Sequence, residues 1–210
     1  MPLRLVMGRA GTGKTHTCLD EITKQMKADP LGSPLIFIVP AQATFNMERE
    51  LAARGGSIRA QVYSFKRLAY RVLRETGGAA NYPVTELGRR MILKNILLDH
   101  KQNLHLLGAL HNRTGFLASL SEIISDFKTC KVLPEQLNRL LEKEDQGRME
   151  MKLQDLSLVY SSLGARLADK LTDPDDYLDL LAEQIPAASL LAGCRVWIDG
   201  FVSFNPQEWA

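Results

Sequence analysis

The chain has 210 residues, of which 45% are hydrophobic and 24% charged, and its formal net charge is +2. This length and apolar content suffice for a core of one or two domains. The charge is too small to attract nucleic acid globally, so such a contact needs a local basic patch. No run approaches the length of a membrane span, and we expect no membrane association. The three cysteines lack zinc-ligand spacing and predict free thiols in a reducing cytoplasm.

The amino-terminal stretch joins a short apolar run, residues 3–7, to the octet G-R-A-G-T-G-K-T at residues 8–15. The octet fits the phosphate-binding P-loop pattern G-x-x-x-x-G-K-[ST], whose glycines let backbone N–H groups converge on phosphate oxygens. The apolar run predicts a strand, and the spacing of Leu19, Ile22 and Met26 predicts the helix that follows the loop. We expect ATP to bind at the following residues: Gly8, Arg9, Ala10, Gly11, Thr12, Gly13, Lys14 and Thr15.

Two oxygen donors are predicted to hold Mg²⁺ beside this loop. The hydroxyl of Thr15 ends the motif and is placed to bind the metal, while Lys14 reaches the β- and γ-phosphates. Asp199 follows an apolar run, residues 194–198, which would deliver it to the carboxyl edge of a sheet. The same residue has a simpler interpretation as the cap of the next turn.

The first third of the chain alternates between strand and helix patterns. Apolar runs at 35–39 and 58–63 predict strands, and the residues at 41–54 and 65–75 predict helices. This alternation favours a parallel α/β sheet. From residue 85 to about residue 185 almost no strand pattern appears. The helical stripes in this stretch are formed by Leu87, Met91, Ile92 and Ile96, by Phe116, Leu120, Ile123, Ile124 and Phe127, and by Leu153, Leu156, Tyr160, Leu163, Leu167 and Leu171.

The pattern therefore predicts an α/β P-loop domain interrupted by an all-α insertion. We assign residues 1–80 and 190–210 to the α/β domain and residues 81–189 to the insertion. The stretch from Asn205 to Glu208 resembles a capped helix start one turn before Ala210. We expect the chain to be the amino-terminal piece of a longer protein.

A basic stripe follows the third predicted strand. It consists of Lys66, Arg67, Arg71 and Arg74 on one helix, with Arg59 on the strand before it. A solvated helix face is an equally good interpretation of this stripe. Hydroxyl and aromatic side chains lie on the loops after two strands, where they would meet a single DNA strand, and our candidates for that contact are Thr44, Phe45, Ser64, Phe65, Lys66 and Arg67.

Four stretches taken together resemble a known family. They are residues 8–15, 39–45, 62–69 and 196–204, the last reading V-W-I-D-G-F-V-S-F. In this order they are similar to the amino-terminal part of the AddB family, the B subunits of the bacterial ATP-dependent helicase–deoxyribonucleases. The resemblance covers the whole chain, and the D-G-F-x-S-F run after a helical insertion is its most distinctive part.

The resemblance implies a RecA-like domain 1A of a superfamily 1 helicase, interrupted by a helical 1B-like domain. Thr44 and Phe45 would match motif Ia, Ser64 and Phe65 the next DNA-contacting motif, and Asp199 the acid of motif II. It implies a cytoplasmic heterodimer with an AddA-type subunit that processes double-strand break ends for recombinational repair. In that complex AddA is the principal motor, and a nuclease with an iron–sulphur cluster lies beyond the residues present here.

Departures from the motor pattern lower the expected activity. Gly200 stands where hydrolysing motors usually carry a glutamate that polarises the attacking water, a contribution of ~10²–10⁴-fold. No Gln motif precedes the first run, which leaves adenine selection open. We therefore expect ATP binding with weak or no hydrolysis by this chain alone, and we assign no catalytic, nuclease or cluster residue.

Two other classes of protein remain open on the sequence. A P-loop kinase of a nucleotide or small metabolite has a similar size, but it needs an arginine-bearing lid near the end of its fold. A non-catalytic scaffold with a vestigial P-loop would bind DNA or a partner protein without using ATP.

Overall fold

The computed structural model describes residues 3–56, 58–77, 82–141, 147–168 and 171–210. The chain divides into two units, of which unit 1 comprises Met1–Gly78 with Leu180–Phe204 and unit 2 comprises Ala79–Asp179 with Asn205–Ala210. The domain boundary expected between residues 80 and 81 lies outside the described residues. The last six residues belong to the helical unit, whereas the sequence pattern placed them in the α/β domain.

Helices and strands alternate at both ends of the chain, and helices dominate its middle. The strands are β1 (Leu35–Ile38), β2 (Ala60–Tyr63), β3 (Tyr82–Pro83), β4 (Leu171–Thr172) and β5 (Arg195–Ile198). The helices are α1 (Lys14–Ala28), α2 (Thr44–Ala53), α3 (Phe65–Thr76), α4 (Glu86–Asp99), α5 (Thr114–Thr129), α6 (Pro134–Leu141), α7 (Arg148–Leu167), α8 (Tyr177–Gln184) and α9 (Pro206–Trp209). Short 3₁₀ turns lie at Ala41–Ala43, Gly108–Leu110, Pro174–Asp176, Ile185–Ala187 and Ser189–Leu191.

Unit 1 is built on a parallel sheet in the order β2-β1-β5. Leu35 is aligned with Ala60 on one side and with Arg195 on the other, so both pairings keep the same register along β1. All four β1 residues are buried, as expected of a central strand that is covered on both faces. The predicted parallel arrangement of these three strands is confirmed.

The strand predicted over residues 3–7 is wrong in this structure. These residues have no strand assignment, and Leu3, Leu5 and Met7 are exposed. A strand is held by hydrogen bonds to a neighbour, and none of the three strands of the described sheet pairs with this run.

The core of unit 1 lies between α1 and the sheet. Leu19, Ile22 and Met26 of α1 pack with Phe37 and Val39 of the central strand region. The i, i+3, i+7 spacing in the sequence therefore predicted the buried face of α1 correctly.

Unit 2 has a separate apolar core formed by its helices, with β3 and β4 pairing in parallel beside it. Two of the predicted stripes are confirmed over most of their length, because Leu120 and Ile124 of α5 and Leu163 of α7 are buried in this core. Leu171, predicted at the end of the second stripe, lies instead in β4, so the prediction of an all-α insertion is wrong at this two-stranded sheet. The stripe on α4 is partly wrong: Ile96 is buried as predicted, but Leu87 and Met91 are exposed, and the helix buries Leu93 and Leu97 in their place. Among the described residues, no helix combines the length and apolarity that crossing a bilayer requires.

Candidate nucleotide site and neighbouring surface

The octet at residues 8–15, called here the glycine loop, runs directly into α1. Gly13 is the N-cap of α1 with φ 84°, and Gly11 has φ 79°. A Cβ added at either position would meet nothing within 4 Å, so the left-handed backbone and not crowding is what favours glycine there. The loop thus ends at a helix N-terminus, where free N–H groups favour an anion.

Lys14 folds back over the glycine loop. Its Nζ donates hydrogen bonds to the carbonyl oxygens of Gly8 and Arg9, each at 2.8 Å. The hydroxyl of Thr12 donates to the same Arg9 carbonyl at 2.9 Å. An incoming phosphate would compete with these two neutral carbonyls for the ammonium group, and a charged acceptor makes the stronger bond.

The two predicted metal-binding residues lie in contact although 184 positions separate them. The Thr15 hydroxyl donates to Oδ2 of Asp199 at 2.5 Å. Asp199 is held at the end of β5 because its backbone N–H donates to the carbonyl of Ile38 at 3.0 Å. A hydroxyl and a carboxylate oxygen are ligands that Mg²⁺ accepts, so the donor set fits this ion together with phosphate oxygens.

The position after Asp199 has a backbone that suits glycine. Gly200 has φ 82°, and a Cβ added there would lie 3.3 Å from Cδ of Pro40. A glutamate would therefore need a left-handed backbone as well as a shift of the neighbouring proline. The local backbone conformation therefore disfavours, at position 200, the glutamate that hydrolysing motors usually carry there.

A carboxylate that the sequence motifs did not reveal, Glu21, links the amino-terminal run to β5. It accepts hydrogen bonds from the Arg4 guanidinium and, at 3.1 Å, from the indole Nε1 of Trp197. The guanidinium first and the indole second hold the pKa of Glu21 below its usual range. No local pattern marks this residue, because its partners converge only in three dimensions.

The site also contains a buried thiol. Burial raises the pKa of Cys18 on α1, and the charge of Asp199 raises it further. All three cysteines of the chain are free, as predicted, and this one is an apolar filler of the core and not a nucleophile.

The six candidate DNA contacts fall into two groups. Thr44 and Ser64 are buried, and their hydroxyls serve the backbone: Thr44 donates to the Ala41 carbonyl at 2.8 Å, and Ser64 caps α3 by accepting from the Arg67 N–H at 3.3 Å. By contrast, Phe45 on α2 is 70% exposed. Lys66 and Arg67 are exposed on α3, Arg67 in an ion pair with Glu48 at 2.8 Å, and Phe65 is half-buried.

Phe65 belongs to an aromatic cluster at the carboxyl edge of the sheet. Its ring centroid lies 5.3 Å from that of Phe201 and 6.2 Å from that of Phe204, and the last two rings stack at 5.0 Å. Phe65 lies more than 130 residues before the other two in the sequence, and the sheet order β2-β1-β5 brings its segment beside theirs.

The predicted basic stripe is correct for α3 and wrong for the strand before it. Lys66, Arg67, Arg71 and Arg74 are exposed, and Arg74 lies over the ring of Tyr70 at 5.8 Å. Arg59 instead donates to the carbonyl oxygens of Gln25, Asp29 and Ser33. Its guanidinium joins the end of α1 to the strand region and is not part of the α3 face.

The fold and the site define an α/β protein that carries a G-x-x-x-x-G-K-T loop beside a strand-borne acid. The chain matches the family model described as "ADDB, N-terminal" over residues 5–210, and it belongs to this family.

Named relatives, all of them B subunits of ATP-dependent helicase/deoxyribonucleases, agree with this assignment. The chain is 48% identical to the relative from Heliobacterium modesticaldum, over 99% of this chain and 18% of the relative. It is 45% identical to the relative from Pelotomaculum thermopropionicum, over 100% of this chain and 19% of the relative. It is 39% identical to the relative from Bacillus pumilus, over 99% of this chain and 19% of the relative. The chain therefore spans about a fifth of the length of the relatives that it matches.

Proposed function

We propose that this chain is the helicase-like amino-terminal part of an AddB-type protein, which binds Mg·ATP and single-stranded DNA and hydrolyses ATP weakly or not at all by itself. The fold class that accompanies this role is a RecA-like P-loop domain of the superfamily 1 type with a 1B-like helical insertion. The proposal extends to the whole protein: a cytoplasmic heterodimer with an AddA-type subunit that processes double-strand break ends for recombinational repair.

One observation carries the nucleotide part of this proposal. The hydroxyl that ends the glycine loop and the acid that ends β5 share a hydrogen bond, although nothing in the local sequence forces them together. Such a pair beside a lysine and a helix N-terminus suits a magnesium-bound polyphosphate. When bound, Mg²⁺ would neutralise phosphate charge; Lys14, Thr15 and Asp199 would hold the complex.

The weak hydrolysis in this proposal is expected because Gly200 follows Asp199 in the sequence. No carboxylate stands at the position next to Asp199, where a motor would orient its attacking water. Family membership favours this proposal over the kinase alternative, because the relatives named above are helicase/deoxyribonuclease subunits.

The test is a titration of Mg·ATP onto the 210-residue chain with a matched pair of lysine variants. Lys14→Ala should weaken binding by about 10-fold or more, since it removes a charge-assisted contact to phosphate. Lys27→Ala, at the exposed end of the same helix, should bind like the wild type. Equal affinities in both variants would support the scaffold interpretation, and rapid ATP hydrolysis by the wild type would contradict the role assigned to Gly200.

A further inference from the structure

A cavity in unit 1 that neither the nucleotide site nor the aromatic cluster uses lies along the outer edge of β2. Its volume is about 350 Å³, and all four residues of β2, Ala60–Tyr63, line it. Successive side chains of a strand point to opposite faces of the sheet. A cavity that touches four consecutive residues therefore runs along the edge of the strand and not under one face.

The main chain at this edge has hydrogen-bonding groups that point away from the sheet. The N–H of Leu35 donates to the carbonyl of Arg59 at 3.0 Å, and Leu35 is aligned with Ala60. In a parallel ladder the residues on either side of the aligned one make the bonds, so Ala60 and Val62 direct their N–H and C=O groups outward. β2 ends the described sheet on this side. These groups suit a polypeptide main chain, whereas a nucleic-acid backbone has no N–H donors to pair with them.

The part of the cavity wall that α2 provides is apolar. Leu51 and Ala52 of α2 line the cavity together with Val62 of β2. Leu51 and Val62 also belong to the core of unit 1, so the cavity borders on that core. Ala52 is exposed and carries only a methyl group. A strand added along the edge would direct every second side chain to this wall, where apolar side chains would be removed from water.

A cation lies where the cavity meets the carboxyl end of β2. Arg67 lines the cavity from the first turn of α3, which begins two residues after the end of β2. Its Nη1 donates to the carboxylate of Glu48 at 2.8 Å, which holds the guanidinium in place, and its fork of N–H donors can serve a second carboxylate. Arg71 and Arg74 continue the same face of α3 at i+4 and i+7. The charge at this end of the cavity therefore favours an anionic group.

We propose that the edge of β2 binds the carboxyl-terminal tail of a partner protein as an added parallel strand, with alternate apolar side chains in the cavity and the terminal carboxylate at Arg67. The parallel direction follows from charge, because it brings the carboxylate of the tail to the end of β2 where the guanidinium lies. The antiparallel direction would bring the amino-terminal side of the tail there. A second copy of the chain, pairing β2 with β2, would offer no terminal carboxylate to Arg67.

The binding test uses the 210-residue chain and two fluorescein-labelled hexapeptides of sequence S-V-S-V-S-V. One peptide ends in a free carboxylate and the other in a carboxamide. Fluorescence anisotropy should give a dissociation constant at least about 10-fold lower for the free carboxylate, since the amide cannot form the charge-assisted pair. In Arg67→Met the two peptides should bind equally. Equal binding of both peptides to the wild type would overturn the proposal.

A matched pair of substitutions on α2 tests whether the peptide occupies the cavity. Ala52→Phe should weaken binding of the free-carboxylate peptide by about 10-fold or more, because the ring fills the space beside β2. Ala53→Phe changes the next exposed position of α2, which is not among the described residues that line the cavity, and should bind like the wild type. Circular dichroism checks that both variants are folded. Weakening in both variants, or in neither, would contradict a peptide in the cavity.

Amide hydrogen exchange locates the bound strand and separates the other occupants. With the free-carboxylate peptide at saturation, the amides of Ala60 and Val62 should exchange at least about 10-fold more slowly, as newly paired amides do. The amide of Leu35, already paired, reports that the sheet is folded. Unchanged exchange at Ala60 and Val62 would overturn the proposal, and so would their protection by a dimer of the chain, seen by light scattering, or by oligothymidine in place of the peptide. None of these measurements needs ATP, so this proposal and the nucleotide proposal fail separately.

Discussion

Gly200 is a single residue whose identity bears on both the turn and the chemistry. Its φ of 82° places it in the left-handed region, directly after the acid that contacts Thr15. In that region an L-residue with a side chain costs about 1–2 kcal/mol, because its Cβ approaches the following carbonyl oxygen. The turn that presents Asp199 to the glycine loop therefore disfavours a glutamate next to it.

The cost of a side chain at this turn is measurable. Gly200→Ala should lower the free energy of unfolding by about 1–2 kcal/mol, from the backbone conformation and the contact with Pro40. Gly164→Ala is the matched control, because Gly164 lies in the interior of α7 with open space around its Cα. That variant should gain about 0.5–1 kcal/mol from reduced chain entropy and better helix propensity. Urea unfolding followed by circular dichroism measures the free energy of unfolding of both variants. A loss of stability in both, or in neither, would contradict this account.

At the scale of the element, α3 shows how one helix serves two environments. Leu68, Val72 and Leu73 are buried on one face, while a cationic face is exposed on the other. The helix is fixed at both ends, by Ser64 at its N-cap and by Gly77 with φ 81° at its C-cap. Because those ends are held, the positions of the charges along the exposed face are fixed as well.

The cationic face can be tested through the salt dependence of single-strand binding. If Arg71 and Arg74 each neutralise a phosphate, the double variant Arg71→Ala/Arg74→Ala should reduce the slope of log K against log salt by about 1.4, at ~0.7 per contact. Titration of a fluorescent oligothymidine at several salt concentrations gives that slope. The variant Lys24→Ala/Lys27→Ala on α1 removes two charges elsewhere and should leave the slope unchanged. An unchanged slope in the arginine variant would show that the face is merely solvated.

Local patterns in the sequence were sufficient for the strands that pair in the described sheet of unit 1 and for the last helix. The runs at 35–39, 58–63 and 194–199 became β1, β2 and β5, and the Asn205–Glu208 pattern became a capping box at α9. An apolar run was insufficient at residues 3–7, because such a run predicts a strand whether or not a neighbouring strand is present. On α4 the stripe was rotated, because the helix also buries Arg89, which a hydrophobicity pattern does not count.

The candidate site was predictable to a similar degree and for similar reasons. Lys14, Thr15 and Asp199 follow from spacing and strand position, because phosphate and metal binding constrain the order of residue types. Glu21 and the cluster of Phe65, Phe201 and Phe204 depend on pairings between distant segments, which no local pattern encodes. Thr44 and Ser64 were proposed as contacts, but their hydroxyls also satisfy the backbone, a use that the sequence leaves undetermined.

At the scale of the whole molecule, buried polar groups tie distant parts of unit 2 together. The carboxylate of Asp155, 1% exposed, accepts N–H groups of His105, Leu106 and Leu107 at 2.7–2.8 Å. Arg89 on α4 donates to Ser121 of α5 at 2.7 Å. These bonds join segments that lie 32 to 50 residues apart in sequence, and so they select one arrangement of the helices.

Negative charges outnumber positive charges in the cluster around Arg89. It pairs with Asp173, whose side chain is fully buried, and with Asp175, while Lys128 pairs with Asp173 and Asp176. Three aspartates thus face two cations in this cluster, and the exposed carboxylate of Glu86 lies 3.7 Å from the Arg89 guanidinium as well. Burial raises the pKa of Asp176 in spite of Lys128, as expected where negative charge is in excess. Removing one of the two cations should therefore lower the free energy of unfolding.

Neighbouring arginines on α4 provide a matched comparison. Arg89→Met should lower the unfolding free energy by about 3–5 kcal/mol, since it removes the ion pair with Asp175 and leaves the buried Asp173 with Lys128 as its one cation. Arg90→Met removes an arginine that pairs with Glu86 at 2.9 Å on the surface, and its cost should stay below about 0.5 kcal/mol. Both variants keep a long apolar stem and a good helix former, so propensity does not distinguish them. Urea unfolding by circular dichroism gives the two values, and similar losses would show that the buried cluster contributes no more than a surface pair.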